Sequence, residues 1–113
     1  MDETSALAAL SALGQPHRLK TFRVLVQAGR DGLPVGALRE RVGVPPATMT
    51  AHLNVLRHAG LVADTREGRV IRVRADYARM NALIAYLTEN CCAGAGCEAD
   101  GGSGCSPSPG ADR

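Results

Sequence analysis

The chain has 113 residues, 45% of them hydrophobic and 3% aromatic, which gives room for one domain with a modest core. Its formal net charge is only +2, yet residues 16–74 carry eleven Lys or Arg against four Asp or Glu; this points to a polyanionic partner, with an ordinary solvated surface as the competing account. Met1-Asp2-Glu3 is not the start of a signal peptide and no apolar run is long enough to span a bilayer, so a cytoplasmic protein without a membrane role is expected, its four cysteines held as thiols.

Leu7, Leu10 and Leu13 recur at near-helical spacing behind Thr4 and Ser5, either of which can cap, and Gly14 ends this first helix. Pro16 suits the first position of a second helix, whose core stripe is Leu19, Phe22, Leu25 and Val26 and whose end is Gly29. A short third helix over Val35 to Val42 stops at Gly43, and a fourth begins after Pro45-Pro46 and reaches His58 or Ala59 before Gly60. Two helices joined by a turn of about four residues form a helix-turn-helix. Met49, Leu53 and Leu56 share the buried face of the fourth helix, leaving Thr48, Ala51 and Asn54 opposite, with Thr50 and His52 at the flanks.

Two strand-like runs follow, Val62 to Arg66 and Val70 to Ala75, with Glu67-Gly68-Arg69 as the hairpin turn. This is a wing. Arg66, Arg69, Arg72 and Arg74 populate it, and Arg72 and Arg74, two apart, share a face that suits phosphates; edge-strand charge against aggregation is the bland account of any one of them. Asp76 caps a last helix with Met80, Leu83, Ile84 and Leu87 on one stripe, which predicts packing against a second subunit. The expected fold is mainly α with a small β-hairpin wing: a winged helix-turn-helix of five helices, paired as a homodimer through its terminal helices.

Residues 91–113 hold six Gly, three Ser, two Pro and all four cysteines, without a branched aliphatic or aromatic side chain. Such a composition builds no core, so residues 1–90 are expected to form the DNA-binding and dimerisation domain and 91–113 a flexible tail. Adjacent Cys91 and Cys92 have Cα atoms about 3.8 Å apart, inside the usual disulfide minimum of roughly 4.4 Å, which favours two reduced thiols held side by side.

From Gln15 to Arg74 the chain resembles the ArsR family of arsenic- and metal-responsive repressors. The resemblance is carried by Gln15-Pro16-His17-Arg18-Leu19, by residues 43–53 (Gly-Val-Pro-Pro-Ala-Thr-Met-Thr-Ala-His-Leu), by residues 55–62 (Val-Leu-Arg-His-Ala-Gly-Leu-Val) and by the Arg-Glu-Gly-Arg of the wing. It implies a dimeric repressor that leaves its operator when a soft metal or metalloid binds. Where the family's arsenite sensors have Cys-Val-Cys at the third helix, this chain has Pro34-Val35-Gly36, and the last helix lacks the histidines of another family site. The Cys91-Cys92 pair is similar to a branch whose inducer site follows the last helix.

On that basis trivalent arsenic, as arsenite, antimonite or methylarsenite, is the expected inducer, bound by Cys91, Cys92 and a third thiolate. Cys97 is the nearest candidate and Cys105 a weaker one. A zinc or cadmium site, a thiol-redox switch and a tail of functionless thiols are the alternatives. Operator DNA would be met by Thr48, Thr50, Ala51 and His52 of the fourth helix, with Arg57, Arg66, Arg69 and Arg72 on phosphates; His52 serves equally as a structural brace, and His17 and His58 look isolated. No cysteine has an activating histidine neighbour and no phosphate-cradling loop or carboxylate pair is present, so an enzyme is not expected.

Overall fold

The structure, a computed structural model, describes residues 1–94. The helices are α1 (Glu3–Leu13), α2 (Pro16–Ala28), α3 (Val35–Val42), α4 (Pro46–His58) and α5 (Tyr77–Thr88). The strands are β1 (Leu33–Pro34), β2 (Val62–Glu67) and β3 (Val70–Ala75), and a 3-10 turn covers Cys91–Gly94. The chain divides into two compact units, Met1–Leu83 and Ile84–Arg113.

Within Met1–Leu83 the helix ends follow local chemistry. Asp2, not Thr4 or Ser5, caps α1: its carboxylate accepts the Ser5 N–H at 2.8 Å, and hydrogen bonding from Ser5, its side chain first and then its N–H, holds the Asp2 carboxyl below its usual range. Gln15 caps α2 by accepting the Arg18 N–H, with Pro16 in the first turn. Gly43 ends α3 in the left-handed conformation at φ +85°, which is how α3 turns into α4 so abruptly.

The core is built from Phe22 and Leu25 of α2, Leu38 of α3, Met49, Leu53 and Leu56 of α4, Leu61, and Val73 of β3. The leucine stripes of the first two helices need correction. In α1 the buried residues are Ala6, Ala9 and Ala12, while Leu7 is 58% exposed and Leu10 is also exposed. In α2 Leu19 is exposed and Thr21 is buried instead, its hydroxyl donating to the His17 carbonyl at 2.7 Å. Small residues let α1 lie close to its neighbours, so the larger side chains turn outward.

The sheet is three-stranded in the order β1-β3-β2. Its hairpin turn is Gly68-Arg69, because Glu67 still pairs with Val70; the turn is one residue shorter than the sequence predicts, with Gly68 at φ +62°. β1 is unforeseen, since two residues carry no periodicity. It pairs Leu33 with Val73 and Pro34 with Arg72, fixing the entry to α3 against the wing.

Asp76 caps α5 through the Arg79 N–H, and the Tyr77 hydroxyl donates to the Val26 carbonyl at 2.8 Å. Of the stripe on this helix, Leu83 is buried, whereas Ile84 and Leu87, in the second unit, are exposed.

Candidate nucleic-acid interface

α4 begins at Pro46 behind Pro45 with no side-chain cap and no acidic residue in its first turn. Its first N–H groups and positive dipole end are therefore left for an outside acceptor such as a phosphate. Burial of Met49, Leu53 and Leu56 anchors one face and leaves Thr50, Ala51, Asn54 and Val55 exposed on the other, with Thr48 and His52 half-buried. The Thr50 hydroxyl donates to the Pro46 carbonyl at 3.1 Å, so it presents its methyl group and a lone pair outward.

A groove of about 520 Å³ runs between α4 and the wing, with Thr50, Leu53 and Arg57 on one wall, Arg69, Val70 and Ile71 on the other and the start of α3 closing it. Three of the predicted DNA-contact residues, Thr50, Arg57 and Arg69, thus meet around one concavity. Arg57 is not a loose surface cation there. Its Nε lies 2.9 Å from Asp64 Oδ2 on β2 as an ion pair without hydrogen-bond alignment, and another guanidinium nitrogen donates to Asn54 at 2.9 Å.

Arg72 stands apart from this groove. Its guanidinium donates to the carbonyls of Asp31 and Gly32 at 3.1 and 3.4 Å, and Arg74 donates to Thr65. Both line a second cleft of about 490 Å³ with Arg30, Asp31, Thr65 and Glu67. The shared face expected of Arg72 and Arg74 is present, but each spends donors on the protein. Arg66 is exposed on β2, opposite Ile71.

His52 lies beside His17, ring centroids 5.9 Å apart; His17, which looks isolated in the sequence, is therefore its neighbour. Burial first, then the charges of Arg18 and His17, push the His52 pKa below its ordinary value. Nothing in the spacing of residues 17 and 52, or 57 and 64, signals either contact.

Past α5, Cys91 and Cys92 are exposed with Sγ atoms 3.7 Å apart, and Asn90 and Cys92 both adopt positive φ. Among the described residues no group of three or more His, Cys, Asp or Glu is gathered to hold a metal ion. Cys97 and Cys105 lie outside the described residues. No helix among the described residues is long and apolar enough to cross a membrane.

Comparison with known proteins agrees with this architecture. Residues 13–65 match the family described as a helix-turn-helix domain. The chain is 39% identical over 64 residues to the HTH-type transcriptional regulator NmtR of Mycobacterium tuberculosis, covering 57% of this chain and 51% of that one. An ArsR-like transcriptional regulator from Rhodococcus sp. RHA1 superposes with a TM-score of 0.67 at 30% identity, covering 80% of this chain and 81% of that one. The chain belongs to the ArsR family of winged helix-turn-helix regulators. Another similar structure is the homodimeric winged helix-turn-helix DNA-binding domain Mb0332 of Mycobacterium bovis, described as a possible ArsR-family regulator, with a TM-score of 0.61 at 28% identity over 77% of this chain and 81% of that one. The chain spans about half the length of the curated relatives it matches. For an ArsR-family chain, the location of Pro34-Val35-Gly36 is informative: these residues line the groove between α4 and the wing and offer no thiolate, so any cysteine-based sensing falls to the residues after α5.

Proposed function

We propose that this ArsR-family chain is a homodimeric repressor that binds operator DNA through α4 and the wing and releases it when a thiophilic effector is captured by the cysteines after α5. The observation that carries the DNA reading is the exposed Thr50-Ala51-Asn54 face of an uncapped, Pro-started helix beside an arginine-bearing hairpin. Thr48, Thr50, Ala51 and His52 supply small contacts at base edges, and with no Arg or Gln on the outer face of α4 direct readout is sparse. Phosphate contacts from Arg66 and Arg69, and from the donors that Arg72 keeps beyond its bonds to the Asp31 and Gly32 carbonyls, then hold the register, and operator shape contributes more of the specificity. Two such helices in successive major grooves, about 34 Å apart, require the dimer.

The effector reading rests on donor chemistry. Two sulfurs 3.7 Å apart suit one thiophilic ion, since ion–sulfur bonds of about 2.3 Å in a tetrahedron separate two sulfurs by roughly 3.8 Å. Trivalent arsenic takes three thiolates, so Cys91 and Cys92 hold it with Cys97 as the third donor; methylarsenite needs only the pair. Zinc or cadmium is the second reading, favoured by the spacing of Cys92 and Cys97. Relatives described as transcriptional regulators support this class of function over catalysis.

The test is binding of the reduced chain to a duplex it selects from a randomised pool, titrated in parallel with arsenite, methylarsenite and zinc. Wild type releases the duplex with arsenite, its affinity falling about 5- to 150-fold, and Cys91→Ser/Cys92→Ser does not respond. Release that survives the double substitution overturns the cysteine site; release by zinc alone moves the effector to a divalent metal.

A further inference from the structure

The geometry points to Arg57 and Asp64 as a positioning pair that sets the lean of the wing against the recognition helix, and so the width of the groove that receives the DNA backbone. This inference rests on the DNA-binding reading above and changes the part Arg57 plays in it: the guanidinium acts through the wing and not as a phosphate ligand.

β2 pairs with β3 so that Asp64 lies opposite Val73, which is fully buried, and residues opposite one another point to the same face of a sheet. The Asp64 side chain thereby leaves the sheet on the face that packs on the helices, and although Asp64 is exposed, Arg57 meets it at the rim of that face at 2.9 Å. Arg57 is in turn steered by Asn54, one turn earlier on α4. The ion pair thus joins the last turn of the recognition helix to the third residue of the wing's first strand.

The short corner between them is already fixed by backbone bonds, from the Gly60 N–H to the Arg57 carbonyl and from the Leu61 N–H to the Leu56 carbonyl. Those bonds hold the base of the wing only. Beyond Val62 and Ala63 the hairpin projects with every residue from Asp64 to Val70 exposed, so a link at Asp64, the first of them, is placed to limit its swing. Side-chain exposures of 30% and 34% leave the pair partly screened, and its effect is modest for that reason.

Charge and position make opposite predictions, which gives the experiment its force. Asp64→Asn removes a negative charge near the DNA; on electrostatics alone it tightens binding to every duplex. As a positioning change it weakens the selected duplex by about threefold to tenfold, leaves a scrambled duplex of the same length bound at least as well, and speeds amide hydrogen exchange along residues 64–72. Arg57→Asp weakens the selected duplex as well, and the exchanged pair Arg57→Asp/Asp64→Arg recovers most of the loss. In Arg57→Gln the slope of log affinity against log salt stays as in wild type, whereas loss of a phosphate contact lowers it by about one. The inference is overturned if Asp64→Asn binds the selected duplex as tightly as wild type, if the exchanged pair is no better than Arg57→Asp alone, or if wing exchange is unchanged. A wild-type chain that selects no duplex overturns the DNA reading instead, and the exchange rates of Asp64→Asn still decide whether the pair positions the wing.

Discussion

A Cβ added at Gly32 would sit 2.1 Å from the Val73 carbonyl oxygen, and the residue already holds φ +67°. Neither the backbone of β3 nor the turn can give way without breaking the pairing of Leu33 with Val73, so Gly32→Ala is expected to cost at least about 2 kcal/mol. In a domain of this size that lowers Tm by roughly 8–16 °C. Gly36 in α3 has nothing within 4 Å of such an atom, and Gly36→Ala should leave Tm unchanged or raise it slightly; thermal melts of the two variants side by side check both. A second residue-scale prediction concerns His52, whose pKa is lowered by burial and by Arg18 and His17. The unfolded chain then takes up a proton before the folded one does. Stability is full above the ordinary histidine value of 6.5 and declines as pH falls through the lowered value. Denaturant titrations should show this slope in wild type and a flatter one in His52→Gln.

At the scale of elements, the proposed DNA complex divides the work of binding between the wing and the recognition helix. Arg69 sits in the hairpin turn, exposed, with no hydrogen bond or ion pair among the described residues, so its guanidinium is available to a phosphate. Arg69→Ala should weaken binding to selected and scrambled duplexes alike and lower the salt slope by about one, a pattern opposite to that of Asp64→Asn. Thr50→Ala, on α4, should instead affect the selected duplex alone. The elements themselves were largely legible, because Gly14, Gly29, Gly43 and Gly60 follow helix ends and Pro16 and Pro46 begin helices. What stayed hidden was tertiary. Leucines outrank alanines on any hydrophobicity scale, yet α1 buries Ala6, Ala9 and Ala12, since close helix packing rewards small side chains. β1 is two residues long and exists only because β3 offers an edge. Arg57 read as a phosphate contact from its place in the chain, and only the fold sets Asp64 beside it.

At the scale of the whole molecule, each unit by itself shows exposed apolar side chains among the described residues, Leu7 and Leu10 of α1 in the first and Ile84 and Leu87 of α5 in the second. Leu7 and Leu87 are 58% and 57% exposed, values that suit an interface and not a core. Two copies joined there would present two recognition helices to one duplex, and each would hold the other's affinity by raising its local concentration at the half-site. Leu87→Lys places a charge on the stripe without touching buried Leu83. The expected outcome is a shift from dimer to monomer in sedimentation velocity, with far-UV circular dichroism unchanged and affinity for the selected duplex reduced at least about tenfold. Leu7→Lys tests α1 in the same way. If both variants sediment as dimers, the terminal helices are not the interface and the exposed leucines need another occupant. If only Leu87→Lys dissociates, α5 carries the dimer alone, and an effector captured at Cys91 and Cys92, three and four residues past Thr88, acts on the helix that holds the two recognition helices at their spacing.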